Sequence, residues 1–221
     1  FPAYSRFTRV LFRERFTIEG ERVSAIPLGV SDFWFGPRKS RKATRHAYGV
    51  GLDKIVMVTV ARLTRRKGHL MTLAALSRLP DELRRRIAWL VIGPNGEADY
   101  VEEFRDMIET ADCEVHLLGS LPNEHIRDIY GASDFFCLTG IPDSLGRVEG
   151  FGLVYLEAGA GGLPSVATAI GGVPDAVLAD ETGLLIESDI EAVAQAIAEL
   201  AEDSNTRSIL AAGAAAHACA L

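Results

Sequence analysis

The sequence contains few cysteines and no long apolar run. Its three cysteines, Cys113, Cys137 and Cys219, are far apart and match no metal-binding spacing. This argues against a disulfide scaffold and indicates buried thiols in a reducing compartment. The largely apolar run at 55–61 is much shorter than the roughly 20 residues that a membrane-spanning helix needs. We therefore expect a cytoplasmic protein, and leave open its contact with the inner face of a membrane.

Two motifs of cofactor chemistry are also missing. A dinucleotide-binding loop would carry Gly-x-Gly-x-x-Gly after a strand, whereas the loop at 93–97 offers only Gly93 and Gly96. No Asp-x-Asp occurs, and the five histidines do not cluster with carboxylates at ligand spacing. We predict that the protein uses no metal and no cofactor. A dinucleotide-dependent oxidoreductase is kept only as a less favoured alternative.

The composition is that of an ordinary globular protein, with 48% hydrophobic and 24% charged residues, and the length suits one domain. Charge is uneven, because residues 1–70 hold 15 Lys and Arg against 5 Asp and Glu, whereas residues 71–221 hold 8 against 25. The basic part could attract phosphates, a nucleic acid or a membrane surface, or form solvated helix faces. Only this charge suggests nucleic-acid binding, which would depend steeply on salt, and we predict no nucleic-acid partner.

Short apolar runs alternate with segments of helical periodicity. Most of the runs are continuously apolar, as strands buried on both faces are, and strand alternating with helix predicts a doubly wound parallel sheet of the α/β class. The predicted strands are 22–28, 54–61, 87–93, 114–119, 134–139, 164–169 and 183–187. The predicted helices are 68–79, 98–111, 123–132 and two in the tail, with Asp189 near the first start and Ser204 or Asn205 capping the second.

Ligands of such sheets bind in the loops beyond the carboxyl ends of the strands. The loop after the strand at 54–61 carries Arg62 and Lys67 just before a helix, and cations beside a helix N-terminus suit an anion such as a diphosphate. A solvated basic turn is the alternative. The loop at 93–97 reads as a turn, and the loop at 118–124 could pack a flat base against Leu121.

The segment "EGFGLVYLEAGAGG" at 149–162 contains two glutamates in apolar surroundings. No lysine or arginine occurs between Arg147 and Arg207, so neither Glu149 nor Glu157 has a cation nearby in sequence. Each carboxylate therefore either reaches solvent or accepts hydrogen bonds from groups outside the segment. Gly150 and Gly152 would let a ligand approach the backbone closely, which favours a functional interpretation with sugar hydroxyls as the donors.

Several of these motifs together resemble a known family. "VARLTRRKG", "LLGSLPNEHIRDIYGASD", "EGFGLVYLEAGAGGLPSVATAIGGVPDAV" and "TGLLIE" follow each other as in the C-terminal, donor-binding half of retaining family 4 glycosyltransferases, which have the GT-B fold. The resemblance covers roughly residues 20–205. Residues 1–20 resemble the segment between the two domains, so the N-terminal acceptor domain is expected to be absent from this chain. The chain alone is then expected to be inactive.

The resemblance implies roles for individual residues. Arg62 and Lys67 would hold the diphosphate of a nucleotide sugar, and Glu149 would contact hydroxyls of the transferred sugar. These three are the predicted catalytic residues. Glu157 would bind the ribose hydroxyls, and the loop of Leu121 would border the base. The backbone of a glycine-framed turn would contact sugar and phosphate, at Gly150, Phe151, Gly152 and Leu153.

The same resemblance implies a metal-independent transfer with retention of configuration. The spacing is similar to that of mannosyltransferases of glycolipid assembly, which favours GDP-mannose over a UDP-sugar as donor. The acceptor would be a glycan or a lipid-linked sugar, held through the absent domain. An alternative from another class is a nucleotide-sugar binding module without catalytic activity.

Overall fold

The computed structural model describes residues 1–16, 22–143 and 145–221. The chain begins with strand β1 (Pro2–Ala3), helix α1 (Arg6–Phe16) and strand β2 (Ser24–Ala25). A 3₁₀ turn, Asp32–Phe35, and helix α2 (Arg41–Ala47) follow. The segment expected to connect two domains, 1–20, is described only as far as residue 16.

A parallel sheet of six strands forms the centre of the fold. Its strand order is β5-β4-β3-β6-β7-β8, and each neighbouring pair is parallel. The doubly wound parallel sheet predicted from the sequence is confirmed. The strands are β3 (Ile55–Val60), β4 (Ile87–Ile92), β5 (Glu114–Gly119), β6 (Phe135–Leu138), β7 (Ser165–Thr168) and β8 (Gly183–Ile186).

The predicted strand at 22–28 is wrong in extent and in place. Only Ser24–Ala25 is extended into a strand, and it pairs with Pro2–Ala3 in a separate two-stranded sheet. Pro27 has no N–H to donate to a sheet, which explains why the strand ends before it. The other six predicted strands are confirmed, each within a residue of the observed ends.

The helices occupy the connections between the strands. Their bounds are α3 (His69–Leu76), α4 (Asp81–Arg84), α5 (Ala98–Thr110), α6 (Asn123–Ala132), α7 (Leu153–Ala160), α8 (Val173–Ala176), α9 (Ile190–Glu202) and α10 (Ser204–Ala220). Asp189 caps α9 as predicted. The cap of α10 was predicted wrongly, because the Asp203 carboxylate, and not Ser204 or Asn205, accepts the N–H groups of Asn205 and Thr206 at 2.8 and 3.0 Å.

Both faces of the sheet are covered, which explains the continuously apolar strands. In β3, Val56 and Val58 point into a core that includes side chains of α6 and α7, whereas Met57 points into a second core with side chains of α3, α5 and α9. In β6, Phe136 and Phe135 divide between the two cores in the same way. An alternating pattern would have left one face in solvent.

The cysteines do not all lie inside the protein. Cys137 is buried in β6 and Cys113 is half-buried, but Cys219 is exposed near the end of α10. The expectation of buried thiols is therefore wrong for Cys219. In the described ranges, no helix combines the length and the apolar character needed to cross a bilayer.

The first residue of α3, His69, lies fully buried among aromatic rings. Its ring centroid is 5.5 Å from that of Phe104 and 6.4 Å from that of Trp89. Neither ring nitrogen has a hydrogen-bond partner among the described residues. Burial, with the charge of Lys67, lowers the pKa of His69 from 6.5 to about 3. The imidazole is therefore neutral and packs as an aromatic ring.

Replacing His69 by phenylalanine should flatten the dependence of stability on pH. The unfolded chain takes up a proton near pH 6.5, and the folded chain only near pH 3. The stability linked to His69 is thus fully present above pH 6.5 and is lost as the pH falls towards 3. Relative to the His69→Phe variant, the parent should lose up to about 1.4 kcal/mol of unfolding free energy per pH unit in this window. Urea denaturation from pH 7.5 to 4 measures this. An unchanged slope would contradict the assignment, and substitution of exposed His46 is the control.

Candidate functional site

The strand order changes direction between β3 and β6. From β3 the chain continues to β4 and β5 on one side of the sheet, and from β6 it continues to β7 and β8 on the other. The loops that follow β3 and β6 therefore diverge from adjacent strand ends. Such a point forms a crevice at the carboxyl edge of a parallel sheet, which is where these folds bind ligands.

The loops after β3 and β6 contact each other closely at the base of this crevice. Gly68 has φ +69°, and a Cβ placed on it would lie 1.8 Å from the carbonyl oxygen of Thr139. The N–H of Ile141 donates to the carbonyl of Arg66 at 3.0 Å. Only glycine allows both this conformation and this approach. The contact fixes the position of Lys67, which directly precedes Gly68.

The loop at 93–97 supports the loop after β3 from the other side. The N–H of Leu63 donates to the carbonyl of Pro94 at 3.0 Å, and the N–H of Glu97 donates to the carbonyl of Leu63 at 3.2 Å. The Glu97 carboxylate accepts the N–H of Arg65 at 3.3 Å. The predicted turn at 93–97 thus has a structural role, because it holds the cationic loop in place.

Glu149 has a cationic partner that is remote in sequence. The Lys67 Nζ donates to Glu149 Oε2, and Arg66 Nη1 lies 3.7 Å from the same oxygen. Burial raises the pKa of Glu149, but the charge and hydrogen bond of Lys67 and the charge of Arg66 outweigh it, so that the pKa is lower than usual. The carboxylate is therefore ionised at neutral pH and is not the unpaired group that its sequence neighbours suggested.

A cleft of about 700 Å³ opens in front of this ion pair. Its lining combines side chains from the loops after β3, β4 and β6, namely Arg62, Thr64, Arg66, Lys67, Glu97, Asp143, Arg147 and Val148. Arg147 Nε donates to Asp143 Oδ2 at 2.5 Å. Arg62 is exposed and makes no ion pair with any residue that the structure describes. The cleft thus brings together the two cations predicted to bind a diphosphate.

The glycine-framed turn lies beside the cleft and starts α7. Gly152 has φ +98° at the N-cap of that helix. The Glu149 carbonyl accepts the N–H of Gly172 at 2.8 Å, and the Gly150 carbonyl accepts Ser5 Oγ at 2.7 Å. These bonds hold the backbone of the turn. Phe151 packs in the core and Leu153 is exposed, so only the backbone of Phe151 is available for the contact predicted there.

Glu157, in contrast, has no ion-pair partner in the part of the chain that the structure describes. It lies in α7, partly buried, and burial raises its pKa to about 7. Its charge adds to the larger effect of burial in raising the pKa of Tyr130. Tyr130 Oη has no hydrogen-bond partner among the described residues. Glu157 thus lacks a cationic partner both nearby in sequence and among the residues that the structure describes.

Of the predicted site residues that the structure describes, Arg62 and Lys67 line the 700 Å³ cleft. Glu149 does not line it but pairs with Lys67, and residues 150–153 follow Glu149 in the chain. Glu157 and Leu121 are not among the lining side chains either, and Leu121 packs partly buried against the core just before α6. The base and ribose positions assigned to them stay predictions. Sequence reasoning also missed the pairing of Arg66 with Glu149 and of Arg147 with Asp143. Arg66 adjoins Lys67 in the quoted motif, and that proximity was the available signal.

The chain matches a known family along most of its length. The family described as "Glycosyl transferases group 1" matches residues 40–217. The chain belongs to the group 1 glycosyl transferases. This glycosyl transferase is 33% identical over 204 residues to a GDP-mannose-dependent alpha-(1-6)-phosphatidylinositol monomannoside mannosyltransferase of Mycolicibacterium smegmatis, with 90% of this chain and 52% of that protein covered. It is 33% identical over 190 residues to a D-inositol 3-phosphate glycosyltransferase of Corynebacterium diphtheriae, with 83% and 43% covered.

Solved structures with the GT-B fold resemble this glycosyl transferase closely. The crystal structure of Anabaena HepE in complex with UDP and glucose superposes with a TM-score of 0.84 at 24% identity, over 99% of this chain and 58% of that one. Sucrose-phosphate synthase of Thermosynechococcus elongatus superposes with a TM-score of 0.82 at 25% identity, over 100% and 53%. The predicted fold and the predicted family resemblance are confirmed. The chain spans about half the length of the curated relatives that it matches.

Substituting alanine for Gly68 should disrupt the cleft more than the same change at a comparable glycine. Gly119 has φ +64°, similar to Gly68, but a Cβ there meets no atom within 4 Å. Gly119→Ala should therefore cost only the backbone strain, about 1–2 kcal/mol of unfolding free energy. Gly68→Ala should cost more than about 3 kcal/mol, because the loops must also separate. Denaturant titration compares the two, and equal losses would contradict the close contact with Thr139.

Proposed function

We propose that this glycosyl transferase chain is the donor-binding half of a retaining hexosyltransferase of family 4, and that it binds a nucleotide diphosphate sugar in the cleft at the switch point. The observations that support the proposal are that Arg62 and Lys67 line this cleft, at the loops of adjacent strands, and that Lys67 also pairs with Glu149. Two cations suit the diphosphate, and one carboxylate suits sugar hydroxyls. The N-terminus of α7 adds backbone N–H groups beside them.

The charges of the cleft suit the transition state of glycosyl transfer. As the bond from the anomeric carbon to the diphosphate breaks, positive charge develops on the sugar and negative charge on the leaving group. Arg62 and Lys67 would stabilise the leaving diphosphate, since the backbone of the loop that carries them is already held by the hydrogen bonds of Leu63 and by the close contact at Gly68. Glu149 would orient the sugar through its hydroxyls. The acceptor would attack from the face that the leaving group occupies, which retains the configuration, and no metal is required in this scheme.

GDP-mannose is the proposed donor, with a UDP-sugar as the second candidate. The Mycolicibacterium smegmatis relative is named as GDP-mannose-dependent, which supports mannose. The Anabaena structure contains UDP and glucose, which supports a UDP-sugar as the second candidate donor. Both named relatives act on inositol phosphates or a lipid derivative of them, so we propose a lipid-linked or glycan acceptor that carries inositol. The acceptor would bind mainly through a domain outside this chain, at a membrane surface if it is a lipid.

Replacing Lys67 by alanine should weaken binding of the nucleotide sugar about tenfold or more, because a charge-assisted bond to the diphosphate is lost. Calorimetric titration of the full chain with GDP-mannose, UDP-glucose and NAD measures this. The matched control is Arg78→Ala, which removes an exposed cation that does not line the cleft. If the parent binds neither nucleotide sugar, or if both variants bind equally well, the proposed donor site is wrong. Binding without transfer by the full-length protein would favour the non-catalytic module.

Affinity for the nucleotide sugar should fall as the pH decreases below about 7. The ionised Glu157 carboxylate is the better acceptor for ribose hydroxyls, and its pKa of about 7 means that it becomes protonated below that pH. The Glu157→Gln variant should bind more weakly at pH 8 and show no such dependence. Titrations at pH 6, 7 and 8 test this, with Lys67→Ala as a control that should keep the parent's slope. An equally steep slope in Glu157→Gln would exclude Glu157 from the ribose site.

A further inference from the structure

The cations of the cleft are largely neutralised by the protein's own carboxylates. Lys67 and Arg66 share Glu149, and Arg147 pairs with Asp143. Among the described residues of the cleft lining, Arg62 is the cation without such a partner. A diphosphate that binds to Lys67 therefore has to compete with Glu149 for the same ammonium group.

The ion pair between Lys67 and Glu149 is partly buried, so Glu149 competes strongly with a diphosphate for the Lys67 ammonium group. The exposed fractions of the two side chains are 17% and 23%, so water screens their interaction less than it screens a surface pair. Both residues are also held at the backbone. Gly68 fixes Lys67 against Thr139, and the Glu149 carbonyl accepts the N–H of Gly172. Only rotation of the two side chains can therefore separate the pair when a phosphate approaches.

We propose that Glu149 makes the protein discriminate between a nucleotide sugar and the nucleoside diphosphate that remains after transfer. This inference rests on the proposed function. When the nucleotide sugar binds, the diphosphate becomes the partner of Lys67 and the sugar hydroxyls become the donors to Glu149. Both halves of the separated ion pair then have a partner.

The nucleoside diphosphate satisfies only one half of that pair. Its terminal phosphate can bind Lys67, but it offers Glu149 no hydroxyl donor and places a negative charge beside the carboxylate. Like charges in close contact are costly, and a half-buried carboxylate without partners is costly too. Re-forming the ion pair between Lys67 and Glu149 therefore favours release of the product. Glu149 thereby strengthens the binding of the nucleotide sugar and weakens the binding of the nucleoside diphosphate.

The test is to compare Glu149→Gln with the parent in titrations of the full chain with nucleoside diphosphate and with the matching nucleotide sugar. The variant should bind the nucleoside diphosphate roughly tenfold more tightly, because Lys67 is released and the repulsion is removed. It should bind the nucleotide sugar no better than the parent does, since an amide replaces the charged acceptor. The ratio of the two affinities should therefore fall by about tenfold or more. Thermal unfolding of the variant checks that it is folded.

The matched control is Glu114→Gln, which removes one negative charge from an ion pair of similar exposure outside the cleft. Glu114 pairs with Lys54 at 2.7 Å, the exposed fractions of the two side chains are 31% and 25%, and neither residue lines the cleft, so the control should leave the affinity ratio within about twofold of the parent. The inference is overturned if Glu149→Gln does not bind the nucleoside diphosphate more tightly, or if Glu114→Gln has an equal effect. If the parent binds neither ligand, the proposed function fails and this inference fails with it.

Discussion

The parallel pairing of β3 with β6 is the contact on which the cleft depends. Met57 and Val58 are in register with Phe135 and Phe136, and the Asp134 carboxylate accepts the N–H of Val56 at 2.7 Å just before that register begins. Because β4 and β7 extend the sheet in opposite directions from this pair, the two loops that leave its carboxyl end have to separate. The cleft is thus a consequence of strand order, and the loops supply its chemistry.

The two glutamates of the segment 149–162 lie in different electrostatic environments. Glu149 lies before α7, where the loop after β3 reaches it, and its ion pair with Lys67 keeps its pKa below the usual value despite burial. Glu157 lies in the helix, where no described cation pairs with it, and burial raises its pKa to about 7. The pKa values of the two carboxylates are therefore shifted in opposite directions, so that Glu149 stays ionised at neutral pH whereas Glu157 titrates near it.

The fold was largely predictable from the sequence, because buried strands have a local signature. The run at 87–92 is apolar at every position and the run at 55–60 is interrupted only by Thr59, and that pattern is stable only between two covered faces. The prediction was wrong where local signals compete. The stretch 22–28 is apolar enough for a strand but contains Pro27. The three adjacent residues at 203–205 could each cap a helix, and only the backbone geometry of the folded chain selected Asp203. Cys219 is exposed because α10 packs Ala214 and Ala218 against the rest of the fold, and the sequence of the helix does not state which face is covered.

The sequence by itself determined which charged residues stand out, since Arg62 and Lys67 follow an apolar strand, and Glu149 and Glu157 are the only charges of the segment 149–162. It did not determine which of these charges meet. Lys67 and Glu149 are 82 positions apart, and their ion pair exists because two parallel strands far apart in sequence became neighbours. Tertiary structure decided that Glu149 is paired and Glu157 is not. Charge interactions depend on distance through space, and local patterns of residue type do not encode that distance.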